Sequence, residues 1–186
     1  MFANVGAFGS GARVIFLTTE ECQKYCVDFR LESPIDNVDS NKLFGHSQRY
    51  PDEAYRYFNL SLILSRHCLS PLTPFEACLL WVENPMIWPS SNNLHLYYRL
   101  RQSYGDFRLI HQAPGHSFQG HEQSDLATFM HIGMLFGWEM HAVPQHGDIQ
   151  ISFSHDECVD ISIQDKNTST ELIKELTEFS DASTRD

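Results

Sequence analysis

Residues 124–163 read SDLATFMHIGMLFGWEMHAVPQHGDIQISFSHDECVDISI, and the hydrophobic period changes inside this stretch. Its first part repeats apolar residues at helical spacing, which predicts a helix that begins after Ser124 and ends at Gly137. The remainder alternates apolar and polar residues, which predicts strands joined by tight turns. The predicted strands cover residues 140–143, 149–153 and 159–163. A helix followed by an antiparallel meander is typical of an α+β fold.

The residues upstream of this stretch follow mainly the helical period. A short buried strand is predicted at 14–17, and residues 32–50 are polar enough to predict a long loop. The predicted upstream helices cover residues 20–29, 52–67, 73–82 and about 92–104. After the strands, the capping-box pattern Thr168-x-x-Glu171 predicts a final helix. We therefore expect helices in the first two-thirds of the chain, packed on a small antiparallel sheet, with a C-terminal helix.

The length and composition indicate one globular domain. The chain has 186 residues, of which 42% are hydrophobic and 12% aromatic. That apolar content is too high for an intrinsically disordered chain, and the length suits a single domain. We predict a domain over residues 12–180, with flexible termini at 1–11 and 181–186.

The charge of the chain is strongly acidic. It has 24 Asp and Glu against 13 Lys and Arg, and the formal charge is -11. Residues 154–186 hold nine acidic and three basic residues, which places -6 of that charge near the C-terminus. A negative field repels phosphate backbones, so we expect no nucleic-acid partner. It favours a basic protein partner; the alternative is that the charge serves solubility alone.

Cysteine usage and hydropathy indicate the compartment. Five cysteines are dispersed along the chain without a C-x-x-C pair, which favours reduced thiols over a disulfide framework. The N-terminal sequence has no charged region before an apolar stretch, so we expect no signal peptide. No apolar run approaches the roughly 20 residues of a membrane span. We therefore expect a cytoplasmic protein with no membrane partner.

Motifs for phosphate binding and for nucleophilic catalysis are missing from the sequence. The chain contains no G-x-G-x-x-G, no G-x-x-x-x-G-K-[ST], no H-E-x-x-H and no G-x-S-x-G. We accordingly predict no cofactor and favour a binding protein over an enzyme.

Histidines are concentrated in one part of the chain, with eight of the ten between residues 95 and 155. Imidazole is the commonest metal ligand and the usual general base near neutral pH. A metal hydrolase is therefore an alternative, although no metal-binding spacing is present. Its candidate ligands are His116, His121, His155 and Asp156. The other interpretation is that these histidines are surface residues and that Ser154–Glu157 forms a turn.

A second cluster combines tyrosine and arginine. On the predicted helix, Arg101 shares a face with Tyr97 and lies beside Tyr98. These residue types are enriched at interface hot spots and suit anion recognition by a bidentate fork. The alternative is that Arg101 pairs with Asp106 or Asp125 inside the domain while the tyrosines pack in the core.

Two tryptophans lie at breaks between predicted elements. Trp88 stands in a proline-punctuated segment, and Trp138 follows a helix stop. Each either fills the core or forms the lip of a binding site. A small-molecule sensor, with its ligand between these two tryptophans, Tyr98 and Arg101, is a further alternative.

Several short motifs occur in order between residues 87 and 157. They are Ile87-Trp88-Pro89-Ser90-Ser91, Leu94-His95-Leu96-Tyr97-Tyr98-Arg99-Leu100-Arg101, Ala113-Pro114-Gly115-His116, Asp125-Leu126, Phe136-Gly137-Trp138-Glu139 and Ser154-His155-Asp156-Glu157. Together they resemble a family of uncharacterised bacterial proteins over roughly residues 75–160. The family has no assigned activity, so the resemblance transfers no catalytic role. It often has Asp where this chain has Glu139.

From these observations we expect a non-enzymatic cytoplasmic binding protein of immunity or regulatory type. An acidic, aromatic-rich surface would bind a protein partner of basic charge. The alternative with an enzymatic activity is the metal-dependent hydrolase, which would use the histidine-rich residues 111–157. The predicted binding residues are Trp88, Tyr98, Arg101, His116, Asp125, Trp138, His155, Asp156 and Glu157.

Overall fold

A computed structural model describes residues 14–31, 44–85, 94–164 and 166–183. Trp88 and the predicted flexible segment 1–11 lie outside the described residues, as does the last part of the predicted C-terminal tail, residues 184–186.

Within the described residues, seven antiparallel strands form one sheet in the order β1-β4-β3-β5-β6-β7-β2. The strands are β1 (Ile15–Leu17), β2 (Phe44–Arg49), β3 (Ala77–Asn84), β4 (Gly115–Gln119), β5 (Glu139–Pro144), β6 (Ile149–Ser154) and β7 (Cys158–Ile163). The helices are α1 (Thr19–Phe29), α2 (Tyr57–Cys68), α3 (Leu94–Ser103), α4 (Gln123–Phe136) and α5 (Lys166–Ser183). The predicted α+β class, the antiparallel sheet and the C-terminal helix are confirmed.

The two faces of the sheet differ in how they are covered. On one face α2 packs between α4 and α5, and the large hydrophobic core lies beneath these helices. On the other face α1 covers β1, β4 and β3 over a smaller cluster that includes Cys22, Tyr25 and Trp81. Within the described residues, no helix is both long and apolar enough to cross a membrane.

The strand pattern predicted from residues 140–163 matches the observed burial. Ile149, Ile151 and Phe153 on β6 are buried in the large core, whereas the residues between them are half-exposed. Successive side chains of a strand point to opposite faces, so one side of β6 enters the core and the other remains polar. The predicted turn at residues 154–157 is also present, because the Asp156 amide donates to Ser154 Oγ.

The helix predicted at 73–82 is wrong, because these residues lead into β3, a central strand. Residues 78–82 are all buried, since the large core lies on one face of β3 and the α1 cluster on the other. A strand buried on both faces has a continuous apolar run, which fits the helical period as well as the strand period. The neighbours in the sheet, not the local pattern, decide the structure here.

The long loop predicted at 32–50 is wrong for its last part. Residues 44–49 form the edge strand β2, which pairs along its whole length with β7. Its sequence FGHSQR is mostly polar and carries a weak strand signal. The predicted distribution is corrected as well, since β1 to β4 lie in the first two-thirds of the chain and the sheet is larger than expected.

The helix that the sequence places after Ser124 begins slightly earlier, at Gln123. A 3₁₀ turn, Gly120–Glu122, precedes it. The Glu122 carboxylate accepts a hydrogen bond from the Gln119 amide at 2.8 Å, and this bond orders the turn. The end of the helix is as predicted, because Gly137 adopts a left-handed conformation with φ of 64°.

Replacing Gly120 with alanine is expected to lower the free energy of unfolding by about 1–3 kcal/mol. Its new Cβ would lie 2.4 Å from the Ser70 carbonyl oxygen and 2.6 Å from that of Thr73, and neither backbone atom can rotate away. Gly45→Ala is the matched control, because nothing lies within 4 Å of a Cβ at that position. Urea denaturation measures both variants. Equal losses would contradict the close approach of residues 70–74 to the end of β4.

Candidate functional site

Arg101 is a charged residue with no exposed surface, and it lies at the inner side of α3. Its Nη1 donates to the Ala113 carbonyl at 3.1 Å and to the Tyr97 hydroxyl at 3.0 Å. Its Nη2 donates to Asp106 Oδ1 at 3.0 Å, and the Phe16 ring lies 4.5 Å away. Because a buried charge is costly unless it is paired, this set of partners is what allows Arg101 to be buried. The interpretation that Arg101 pairs with Asp106 is confirmed.

Asp106 joins Arg101 to a second arginine. Arg108 donates to the Asp106 carboxylate and, at 2.7 Å, to the Phe16 carbonyl on β1. Burial alone would raise the pKa of Asp106, but hydrogen bonds from Arg108 and Arg101 hold that pKa below its ordinary value. The loop after α3 is thereby tied to the edge of the sheet.

His116 on β4 continues this network with a defined tautomer. Its Nδ1 lies 3.2 Å from the Leu80 carbonyl oxygen, which can only accept, so Nδ1 carries the proton. Nε2 is then the acceptor, and the Tyr97 hydroxyl donates to it at 2.7 Å. Burial, followed by the nearby Arg101 charge, lowers the pKa of His116 to about 3. Both ring nitrogens are engaged inside the core.

The other aromatic residues of the predicted binding set also have partners within the domain. Trp138 is 2% exposed and packs edge-on against Tyr97, with ring centroids 4.9 Å apart. Asp125 accepts a short hydrogen bond from Tyr104, and the Tyr98 hydroxyl accepts from the Ile110 amide at 3.3 Å. The helix of tyrosines and arginines is therefore built into the core of the protein.

The polar side chains of β5, β6 and β7 lie on the side of the sheet that faces away from the large core. We call the polar sheet face the side chains of β5, β6 and β7 that point away from the large core, together with Glu83 of β3 and His155 of the turn between β6 and β7, which are hydrogen-bonded to them. His141, Ser152 and Asp160 lie in register across these three strands, and Glu139 lies two residues before His141. Their exposure ranges from half-buried to exposed, whereas α1 packs over β1, β4 and β3.

Two hydrogen-bonded histidines organise the polar sheet face. His155 Nδ1 lies 2.7 Å from Glu139 Oε1, and its Nε2 lies 3.6 Å from Asp156 Oδ1. The structure thus brings together the acidic residue of the Phe-Gly-Trp-Glu motif and the histidine of the Ser-His-Asp-Glu motif. Glu157, the last residue of that second motif, is left-handed with φ of 60°, and its carbonyl accepts from the Tyr50 amide.

The second histidine was missed by sequence reasoning. His141 Nδ1 lies 2.9 Å from Ser152 Oγ, and Nε2 lies 3.0 Å from Glu83 Oε2. Alternation along β5 and β6 could have placed His141 and Ser152 on one face. Glu83 could not have been found, because it lies in a β-bulge of β3 between Val82 and Asn84, and a bulge re-aims a side chain.

The hydrogen bonds from Ser152 to His141 and from His141 to Glu83 link a hydroxyl, an imidazole and a carboxylate. Catalytic triads link a nucleophile, a base and a carboxylate in the same order. Acyl transfer also requires N–H donors for the oxyanion. Ser152 lies within β6, which pairs with a strand on each side, and that pairing engages the backbone N–H groups of β6. We therefore interpret the three residues as a cross-strand lock that holds the Glu83 carboxylate in place.

The candidate metal ligands do not converge. His116 is in the core, His121 is exposed in the turn before α4, and His155 lies on the polar sheet face. Across the part of the chain that the structure describes, no group of three or more His, Cys, Asp or Glu side chains is placed to hold a metal ion.

Comparison with known proteins identifies no family for this chain. No family model matches the chain, and no curated protein or solved structure matches it either.

Replacing Tyr97 with phenylalanine is expected to cost about 1–3 kcal/mol of unfolding free energy, because the change leaves a donor on Arg101 and the acceptor on His116 buried without a partner. Tyr55→Phe is the control, since Tyr55 is 71% exposed. Urea denaturation of both variants measures the difference. A Tyr97 variant as stable as the control would show that the hydroxyl bridge contributes nothing.

Proposed function

We propose that this protein is a non-enzymatic cytoplasmic binding protein of immunity or regulatory type. Its polar sheet face holds a basic segment of a partner protein. The observation that carries the proposal is the concentration of carboxylates on this face. Glu83, Glu139 and Asp160 lie on it, and Asp156 stands at its edge beside His155. Arg49 is the basic residue on the adjoining edge strand.

Charge complementarity supports a basic partner. The formal charge of -11 gives the whole molecule a negative field, which speeds the approach of a cationic surface. An exposed ion pair contributes about 0–1 kcal/mol, so binding of useful strength needs several carboxylates acting together. The polar sheet face supplies such a group on adjacent strands.

The histidines give these carboxylates fixed positions. Glu139 is bonded to His155 and Glu83 to His141, so neither side chain samples all its rotamers before binding. A surface that is already ordered loses less conformational entropy when a partner arrives. Preorganisation of this kind favours a recognition surface over a face that serves solubility alone.

The predicted binding set includes buried side chains, which a partner protein cannot contact. Arg101 and Trp138 are buried, so the proposal uses the exposed members of the predicted set, which are His155, Asp156 and Glu157.

The cysteines support the proposed location. All five are free, and burial raises the pKa of the Cys22 thiol to about 12, which makes this cysteine unreactive. A chain with this many unpaired thiols is typical of a reducing compartment.

Neutralising the polar sheet face with Glu139→Gln and Asp160→Asn is expected to weaken binding of a basic peptide about fivefold, because two favourable ion pairs are lost. The probe is a labelled peptide of alternating lysine and serine, followed by fluorescence anisotropy. Raising the salt from about 0.05 M to about 0.5 M should remove most of the difference between the variant and the wild type.

The matched control is Glu171→Gln with Glu178→Gln, which removes the same charge from the exposed side of α5. The control is expected to bind the peptide nearly as well as the wild type. Equal weakening in both double variants would mean that net charge, not the polar sheet face, governs binding, and the proposal would then fail.

A further inference from the structure

A cavity lies at the end of the sheet where α1 finishes. It has a volume of about 240 Å³, and its wall is formed by the end of α1, the β5–β6 hairpin and β7. Residues Phe29 and Leu31 contribute apolar surface at one side, and the buried Val143 and Ile149 contribute apolar surface from the sheet. Ligand pockets are typically about 300–1,000 Å³, so an occupant of this cavity must be small.

The cationic group of the cavity is Arg30. It follows α1 in a left-handed conformation with φ of 57°, a position that glycine usually takes. A backbone outlier in a non-glycine residue is a reason to look for a function of its side chain. Arg30 lines the cavity and has no salt-bridge partner among the described residues.

Gln150 supplies a second hydrogen-bond donor in the lining of the same cavity. It lies on β6 opposite Ser162 of β7, and both side chains line the cavity. Within the described part of the chain, Gln150 Nε2 is buried and has no hydrogen-bond partner. A buried donor without an acceptor is unfavourable, so an acceptor atom in the cavity would be stabilised there.

His146 adds a third donor at the hairpin. Its Nδ1 accepts from the Asp148 amide at 3.2 Å, so in the neutral ring the proton is on Nε2 and can be donated. The cavity therefore has an apolar patch within a mainly polar lining that includes three side chains able to donate, and one of these, Arg30, is a full positive charge. A guanidinium fork matches the two oxygens of a carboxylate.

We propose that this cavity binds a small monocarboxylate with an apolar body, whose carboxylate is held by Arg30 and receives a hydrogen bond from Gln150. The apolar body lies against Phe29 and Leu31. The site lies at one end of the polar sheet face, where Gln150 and Ser162 stand two residues along their strands from Ser152 and Asp160. It does not use the carboxylates of that face and does not depend on the basic partner proposed for them.

Sodium benzoate is the probe, followed by chemical-shift titration of the full chain. Benzoate is expected to saturate with a dissociation constant on the order of 1 mM. Acetate, which lacks the apolar body, and benzamide, which lacks the charge, should each bind at least about tenfold more weakly. Shifts from benzoate that do not saturate, or benzamide binding as tightly as benzoate, would overturn the proposal.

Variants locate the site. Arg30→Gln should weaken benzoate binding about tenfold, because the charge-assisted hydrogen bonds are lost. Arg66→Gln is the matched control, since it removes the same charge from α2 on the other side of the sheet. Gln150→Glu replaces the donor with a carboxylate in the cavity and should abolish binding. If Arg30 serves merely to end α1, Arg30→Gln and Arg66→Gln will bind benzoate equally well, and the site is excluded.

Discussion

The burial of the Arg101 charge constrains the rest of the structure. A guanidinium with no exposed surface must find its hydrogen-bond acceptors inside the protein, and it finds them on Tyr97, Asp106 and Ala113. These acceptors lie on α3 and on the loop that follows it, so this segment is fixed against the sheet. Through the Tyr97 hydroxyl the constraint reaches His116 on β4. One buried charge thus sets the positions of a helix, a loop and a central strand.

This arrangement separates the buried structural network from the exposed carboxylates that we propose as a recognition surface. The side that faces the large core holds the Tyr97, Arg101 and His116 network, whose residues are hydrogen-bonded inside the domain. Among the described residues, Arg101 Nε is the buried atom of this network without a partner. The other side carries Glu139 and His155, which are hydrogen-bonded to each other and accessible to solvent. The sheet between the two lets an exposed group of carboxylates keep its geometry without contributing to the core, as the proposed binding surface would require.

Much of the fold could be predicted from local pattern, because the meander and its hairpin turn depend on alternation and on turn residues such as Gly147. The errors at β2 and β3, to which β4 adds a strand that was not predicted, have a common cause. Both strands are specified by their neighbours: β3 is covered on both faces, and the polar β2 gains its structure from pairing with β7. The residues of the candidate site show the same difference between local pattern and dependence on neighbouring strands. His155 and Asp156 were found from a local motif, whereas Glu83 depends on a bulge that no pattern in the sequence reveals.

The state of the His116 ring tests the account most directly, because this residue was a candidate ligand and is placed here in a neutral core network. Its pKa is lowered from 6.5 to about 3, so its contribution to stability is complete above pH 6.5 and is lost as the pH falls from 6.5 towards 3. Nitrogen-15 NMR of the histidine rings from about pH 8 to about pH 5 measures this state. The account predicts a neutral His116 with its proton on Nδ1 throughout that range. An imidazolium forming at His116 within the range, while the protein remains folded, would contradict it.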